Sequence, residues 1–170
     1  LEVCKFATGY GVDNRIVDNF HKDLYLDDIT NGLHDLRIIQ SSLHGSNPLV
    51  YLVNGTIKSI EGYTKNLIDK VRYILKKRDL KASKTKISIS WTLDVNEMRG
   101  DKIDVYTLLE SRLRDYIGDV ERRGKNTLDN YPSDKTTIYI ACSKTDFHLL
   151  SKNNSAETII IKANPFCEVI

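Results

Sequence analysis

Three short, largely apolar runs limit the folds open to this chain more than any other feature; they lie at 49–53, 137–142 and 158–161. A strand that alternates apolar and polar side chains has one wet face, whereas a strand apolar throughout must be covered on both. Such runs therefore predict interior strands of a parallel sheet. A fourth segment, 86–93, alternates strictly, with Ile87, Ile89, Trp91 and Leu93 separated by Ser88, Ser90 and Thr92. It predicts a strand that turns Trp91 into the core. Weaker strand candidates lie at 3–7 and 36–39.

Elsewhere the apolar spacing changes to three and four, the period of an amphipathic helix. In 59–78 it picks out Tyr63, Leu67, Val71, Ile74 and Leu75. In 102–122 it picks out Val105, Leu108, Leu109, Leu113, Tyr116, Ile117 and Val120. Asp101 stands where its carboxylate can accept from the free amides of that helix's first turn, and Gly118 marks a soft spot or the helix end. A third helix is expected at 14–24, through Ile16, Val17, Phe20 and Leu24. The polar segment 124–135, with Pro132, reads as a loop. Strands alternating with helices imply parallel βαβ units. The expected fold is α/β, a mainly parallel sheet with flanking helices, as an open sheet or a truncated β/α barrel, in one domain over 1–170. A length of 170 residues can bury a real core, and 41% hydrophobic with 28% charged residues is the composition of a folded domain.

No apolar run approaches the roughly 20 residues that span a bilayer. The opening Leu1-Glu2-Val3-Cys4-Lys5 lacks the regions of a signal peptide. With no initiator Met, the sequence reads as a fragment or a processed product. Cys4, Cys142 and Cys167 are odd in number, widely spaced and free of any CxxC pair. Free thiols in a reducing, intracellular compartment are the expectation. Two sequons, Asn54-Gly55-Thr56 and Asn153-Asn154-Ser155, would accept glycans in a secreted chain.

In parallel α/β folds ligands bind beyond the C-terminal ends of the strands. That rule selects Asn54 and Gly55 after the first run, and Asp94, Asn96 and Glu97 after Leu93. It also selects Ser143, Lys144 and Asp146 after Cys142, and Asn164 after the last strand. Asp94, Glu97 and Asp146 together could hold a divalent metal, and Asp94 and Asp146 could act as acid and base on a phosphodiester. The competing structural role is that of loop starters and helix caps. Gly9-Tyr10-Gly11 has Asn14 where a dinucleotide fingerprint needs its third glycine, and reads as a turn. His21, His34, His44 and His148 show no metal spacing; His44, in a polar loop, is an acid–base candidate.

The net charge of +2 does not by itself call for a polyanion. Its distribution is uneven. Segment 65–86 carries Lys65, Lys70, Arg72, Lys76, Lys77, Arg78, Lys81, Lys84 and Lys86 against Asp69 and Asp79 alone. Cations at a helix C-terminus complement its dipole. The functional alternative is an anionic partner, either nucleic acid or a phosphoinositide surface, met by Lys76, Lys77 and Arg78 together with Asn54 and Lys144. No aromatic interleaving of the base-stacking kind is evident in the sequence.

Residues 26–140 resemble the X-region barrel of phosphatidylinositol-specific phospholipase C-like proteins. Asn31-Gly32-Leu33-His34-Asp35-Leu36-Arg37-Ile38 is similar to that family's G-[VI]-R-x-[LF]-D-[LI]-R strand, with Gly32 and Asp35 two residues closer together. Segment 49–55 resembles the next strand, with Asn54 where the family has a catalytic His. The 67–75 helix followed by 87–91, and Asn126-Thr127-Leu128 before Ile138, resemble later steps. The resemblance implies phosphodiester chemistry with Asp35 and Arg37 in the site. It brings over neither catalytic histidine, and a complete barrel takes about 250 residues. The sequence thus points to a non-catalytic or degenerate α/β module that binds an anionic or protein partner through its basic helix and strand-end loops. The alternative is a phosphodiester hydrolase, phospholipase-like or a metal-dependent nuclease.

Overall fold

The structure, a computed structural model, describes residues 24–43, 48–93, 100–123, 135–152, 158–164 and 167–170. Two helices come first, α1 (Leu26–Ser42) and α2 (Pro48–Lys77). A short 3-10 turn, Ala82–Lys84, leads into β1 (Thr85–Ser90), followed by α3 (Gly100–Arg114) and β2 (Val120–Arg123). Then come β3 (Thr136–Ala141), α4 (Lys144–Lys152) and β4 (Ile159–Lys162). The four strands form an open, wholly parallel sheet in the order β2-β1-β3-β4. The expected strands at 86–93, 137–142 and 158–161 are present as β1, β3 and β4. Those at 3–7 and the helix residues 14–23 lie outside the described residues.

The register places Ile87 beside Val120 and Ile138, and Ile138 beside Ile159. Ile89, Ile140 and Ile161 form the next row. These rows make one apolar face, on which Trp91 is only 2% exposed, in the phase its alternation predicts. Leu33, Leu67, Val71, Ile74, Val105, Leu109 and Leu113 of the first three helices join that core. The other face carries Ser88, Ser90, Tyr139 and Lys162. There Lys86 pairs with Glu121 at 2.7 Å, and the Lys162 ammonium lies 4.7 Å from the Phe147 ring centroid of α4. Beyond β4, the C-terminal residues add an antiparallel bridge, with Ile160 and Ile170 exchanging N–H···O bonds of 3.0 and 2.8 Å.

Three sequence expectations are corrected. Segments 36–39 and 49–53 are helical, not extended, so Asn54 and Gly55 lie inside α2 and not at a strand end. Pro48 opens α2, where its missing N–H costs no intrahelical bond. From there one stripe, Val53, Ile57, Ile60, Tyr63, Leu67, Val71 and Ile74, runs buried along the helix. The third correction is that the helix expected over 102–122 stops at Arg114, and Val120 starts an edge strand. Two of the segments quoted for the phospholipase resemblance, 31–38 and 49–55, are helical.

Candidate functional site

Strand order β2-β1-β3-β4 makes the gap between the ends of β1 and β3 the topological switch point, where chains leave in opposite directions. Asp146, in the first turn of α4, spans this gap and is buried. Its Oδ1 accepts from the Thr92 hydroxyl at 2.7 Å, and its Oδ2 from the Thr92 amide at 3.1 Å and the Ser143 hydroxyl at 2.5 Å. Ser143 Oγ in turn accepts from the Asp146 amide at 3.0 Å, which caps α4. Asp146 is thus a clamp between the end of β1 and the start of α4. Lys144 lies exposed on the first turn of that helix, and Asn164 is buried at the end of β4.

The ends of β3 and β4 meet the start of α1. The Leu26 amide donates to the Ala163 carbonyl at 2.8 Å and the Asp27 amide to the Cys142 carbonyl at 3.0 Å. Two of the four orphan amides of α1 are satisfied in this way. Asp28 accepts from the Tyr25 amide at 2.8 Å, and both acids favour the positive end of the helix. The Asp27 carboxylate accepts from Trp91 Nε1 at 2.9 Å and from the buried Lys102 ammonium at 2.7 Å. The edge where an open sheet presents ligand groups is here closed over β3 and β4 by α1. Cys142 lies beneath, its thiol pushed well above its ordinary pKa by burial and then by the charges of Asp146 and Asp27. A thiol held protonated this way is a poor nucleophile.

Other residues singled out in the sequence fall elsewhere. Asp94, Asn96, Glu97, His21, His44 and Gly9-Tyr10-Gly11 lie outside the described residues. Asp35 is exposed on α1. Arg37 and His34 reach across from α1 to Asp101 of α3, His34 Nδ1 at 3.1 Å, and Arg37 lies 3.9 Å from Asp104. Asp101 lies inside the first turn of α3, not ahead of it as the expected cap, and is buried with its carboxylate given to this interhelical pair. Among the described residues, no group of three or more His, Cys, Asp or Glu is arranged to hold a metal ion. No described helix is long and apolar enough to cross a membrane.

The basic segment forms a surface of its own. The buried stripe of α2 fixes that helix's rotation, so Lys65, Arg72, Lys76 and Lys77 stand exposed. Just past the helix, Asp79 adopts φ 50°. The Leu80 amide then donates to the Leu75 carbonyl at 2.9 Å and the Asp79 amide to the Lys76 carbonyl at 3.4 Å. This pair of bonds ends the helix and turns the chain, setting exposed Arg78, Lys81 and Lys84 beside it. Among the described residues, Lys65, Lys76, Lys77, Arg78, Lys81 and Lys84 have no carboxylate partner, whereas Lys86 is taken by Glu121 and Arg72 approaches Asp69 at 3.4 Å.

Aromatic groups do interleave with these cations, contrary to the sequence reading. Tyr73 is 55% exposed on the solvent side of α2, with the Lys70 and Lys77 ammoniums 5.9 and 5.7 Å from its ring centroid. Tyr116, just beyond α3, lies under the Arg72 guanidinium at 3.5 Å. The helical phase around Tyr73 was the available signal: it falls two residues from both Val71 and Leu75 and opposite the core stripe. The Tyr116 contact joins positions distant in sequence and left no such signal. Comparison with protein-family models, characterised proteins and solved structures gives no match.

Proposed function

We propose that the chain is a binding module that takes an anionic partner on the surface built by the C-terminal half of α2 and the turn after it. The observation that carries this reading is the set of exposed cations without carboxylate partners, Lys65, Lys76, Lys77, Arg78, Lys81 and Lys84. The helix dipole accounts for Lys76 and Lys77 in the last turn. Its influence fades within that turn, so it accounts for neither Lys65 upstream nor Lys81 and Lys84 beyond. Mutual repulsion among like charges is relieved by an anion that bridges them. The strand-end cluster supports binding over hydrolysis, because the Asp146 oxygens are engaged by Thr92 and Ser143.

The test is a triple substitution, Lys76→Gln, Lys77→Gln and Arg78→Gln, titrated with an oligonucleotide and with polyphosphate over a series of salt concentrations. The triple variant should fold normally, since all three residues are exposed. Its affinity should drop, and the log–log salt slope for a single-stranded oligonucleotide should shrink by about 2, from three lost phosphate contacts at about 0.7 each. Unchanged affinity and slope would remove these residues from the site.

A further inference from the structure

We propose that the anion is single-stranded nucleic acid, with a base stacked on the Tyr73 ring and the adjoining phosphates held by Lys70 and Lys77. This rests on the reading of α2 as an anion-binding surface and adds the chemical class of the partner. Phosphate alone has no use for an exposed aromatic ring, yet Tyr73 stands in the middle of the cationic face, more than half exposed. Lys70 lies three residues before it and Lys77 four after, one helical turn away on either side, and their ammoniums stand over the ring at 5.9 and 5.7 Å from its centroid. A base that stacks on that ring takes the place of these ammoniums over it, and they then meet its adjoining phosphates. Single-stranded binders combine these two elements, a stacking platform and a cationic track.

A second planar group stands at the neighbouring helical position. Arg72 lies 3.5 Å over Tyr116, and guanidinium planes stack bases as aromatic rings do. Duplexes bury their base faces, which disfavours them here. A lipid surface fits less well too. An interfacial helix offers lipid its apolar face, and the apolar face of α2, through Leu67, Val71 and Ile74, is buried in the core. The exposed side offers Tyr73 amid Lys65, Asn66, Asp69, Lys70, Lys76 and Lys77.

The experiment uses the full chain and three probes: a fluorescent twelve-residue oligothymidylate, the same oligomer with abasic sites throughout, and sodium polyphosphate. Anionic vesicles containing phosphatidylserine and a phosphoinositide form a fourth arm. Wild type should bind the oligothymidylate about 10- to 100-fold more tightly than the abasic oligomer, the range expected for base–aromatic stacking. Tyr73→Ala should lose that preference, Tyr73→Phe should keep it, and neither should change polyphosphate binding or the salt slope. Equal binding of the two oligomers by wild type would overturn the stacking proposal and leave the anion surface standing; this comparison needs no variant to fold. Binding to vesicles alone would assign the surface to lipid and overturn the proposal. Binding of no anion would overturn both readings.

Discussion

Asp146 is the residue where a structural and a chemical role separate most sharply. Its two oxygens take three hydrogen bonds from Thr92 and Ser143. Truncation leaves those donors facing a void that water reaches only in part. Asp146→Ala should therefore cost about 2–4 kcal/mol in denaturant unfolding, and Asp146→Asn less, since one acceptor oxygen survives. A carboxylate held for a ligand behaves in the opposite way, and its removal leaves stability unchanged or raised. An Asp146→Ala variant as stable as wild type would thus return Asp146 to the candidate catalytic set. The burial of Trp91 was legible because one alternating strand contains all the information needed. The partners of Asp101 were not: Arg37 and His34 lie 64 and 67 residues away, and nothing local marks them. Tyr73 lies between these cases, since its exposure follows from the phase of its own helix and its value as a platform does not.

Elements were legible in proportion to their apolar content. The run at 49–53 fits a buried strand as well as a helix by composition alone. Length and phase decide it, because Val53, Ile57 and Ile60 continue the spacing that Tyr63, Leu67 and Val71 begin, while Tyr51 and Leu52 face solvent. β2 was hidden for the opposite reason. Val-Glu-Arg-Arg has a single apolar residue, which suits an edge strand that must discourage further pairing. Its docking on α3 runs through Glu110, which accepts from Arg114 at 2.9 Å and from Arg122 of β2 at 2.5 Å. Burial alone would raise the Glu110 carboxyl, but the hydrogen bonds and charges of Arg114 and Arg122 outweigh it and hold the group below its ordinary 4.5. A carboxyl depressed on folding contributes stability above its unfolded pKa and loses it as pH falls through the folded one. Glu110→Gln should therefore be less stable than wild type near neutrality. The gap should close as pH falls below about 4.5, followed by urea unfolding at a series of pH values. A gap that stays constant into acid would detach the two arginines from the stability of this edge.

Across the whole molecule the open parallel sheet was legible, because its interior strands share one kind of apolar run. Strand order was not, because Ile87 pairs with both Val120 and Ile138, and no sequence feature names either partner. Charge segregation belongs to this scale too. Segment 65–86 holds nine of the 25 cations and two of the 23 acids, leaving +7 there and −5 over the rest of the chain. On the proposed function, an approaching polyanion is drawn to one surface and repelled from the remainder. Such a field acts on encounter more than on residence. For a single-stranded oligonucleotide, the association rate constant should fall about tenfold or more from low to physiological salt, as the Debye length contracts from about 30 to 8 Å. Stopped-flow mixing at two ionic strengths separates association from dissociation. Charge reversal at exposed Lys81 and Lys84, to Glu, should slow association strongly while changing dissociation less, because these residues follow the end of α2 and the cations at the Tyr73 ring are Lys70 and Lys77. If instead dissociation absorbs the whole effect, the cations act by close contact with the bound strand, and the segregated field has no part in capture.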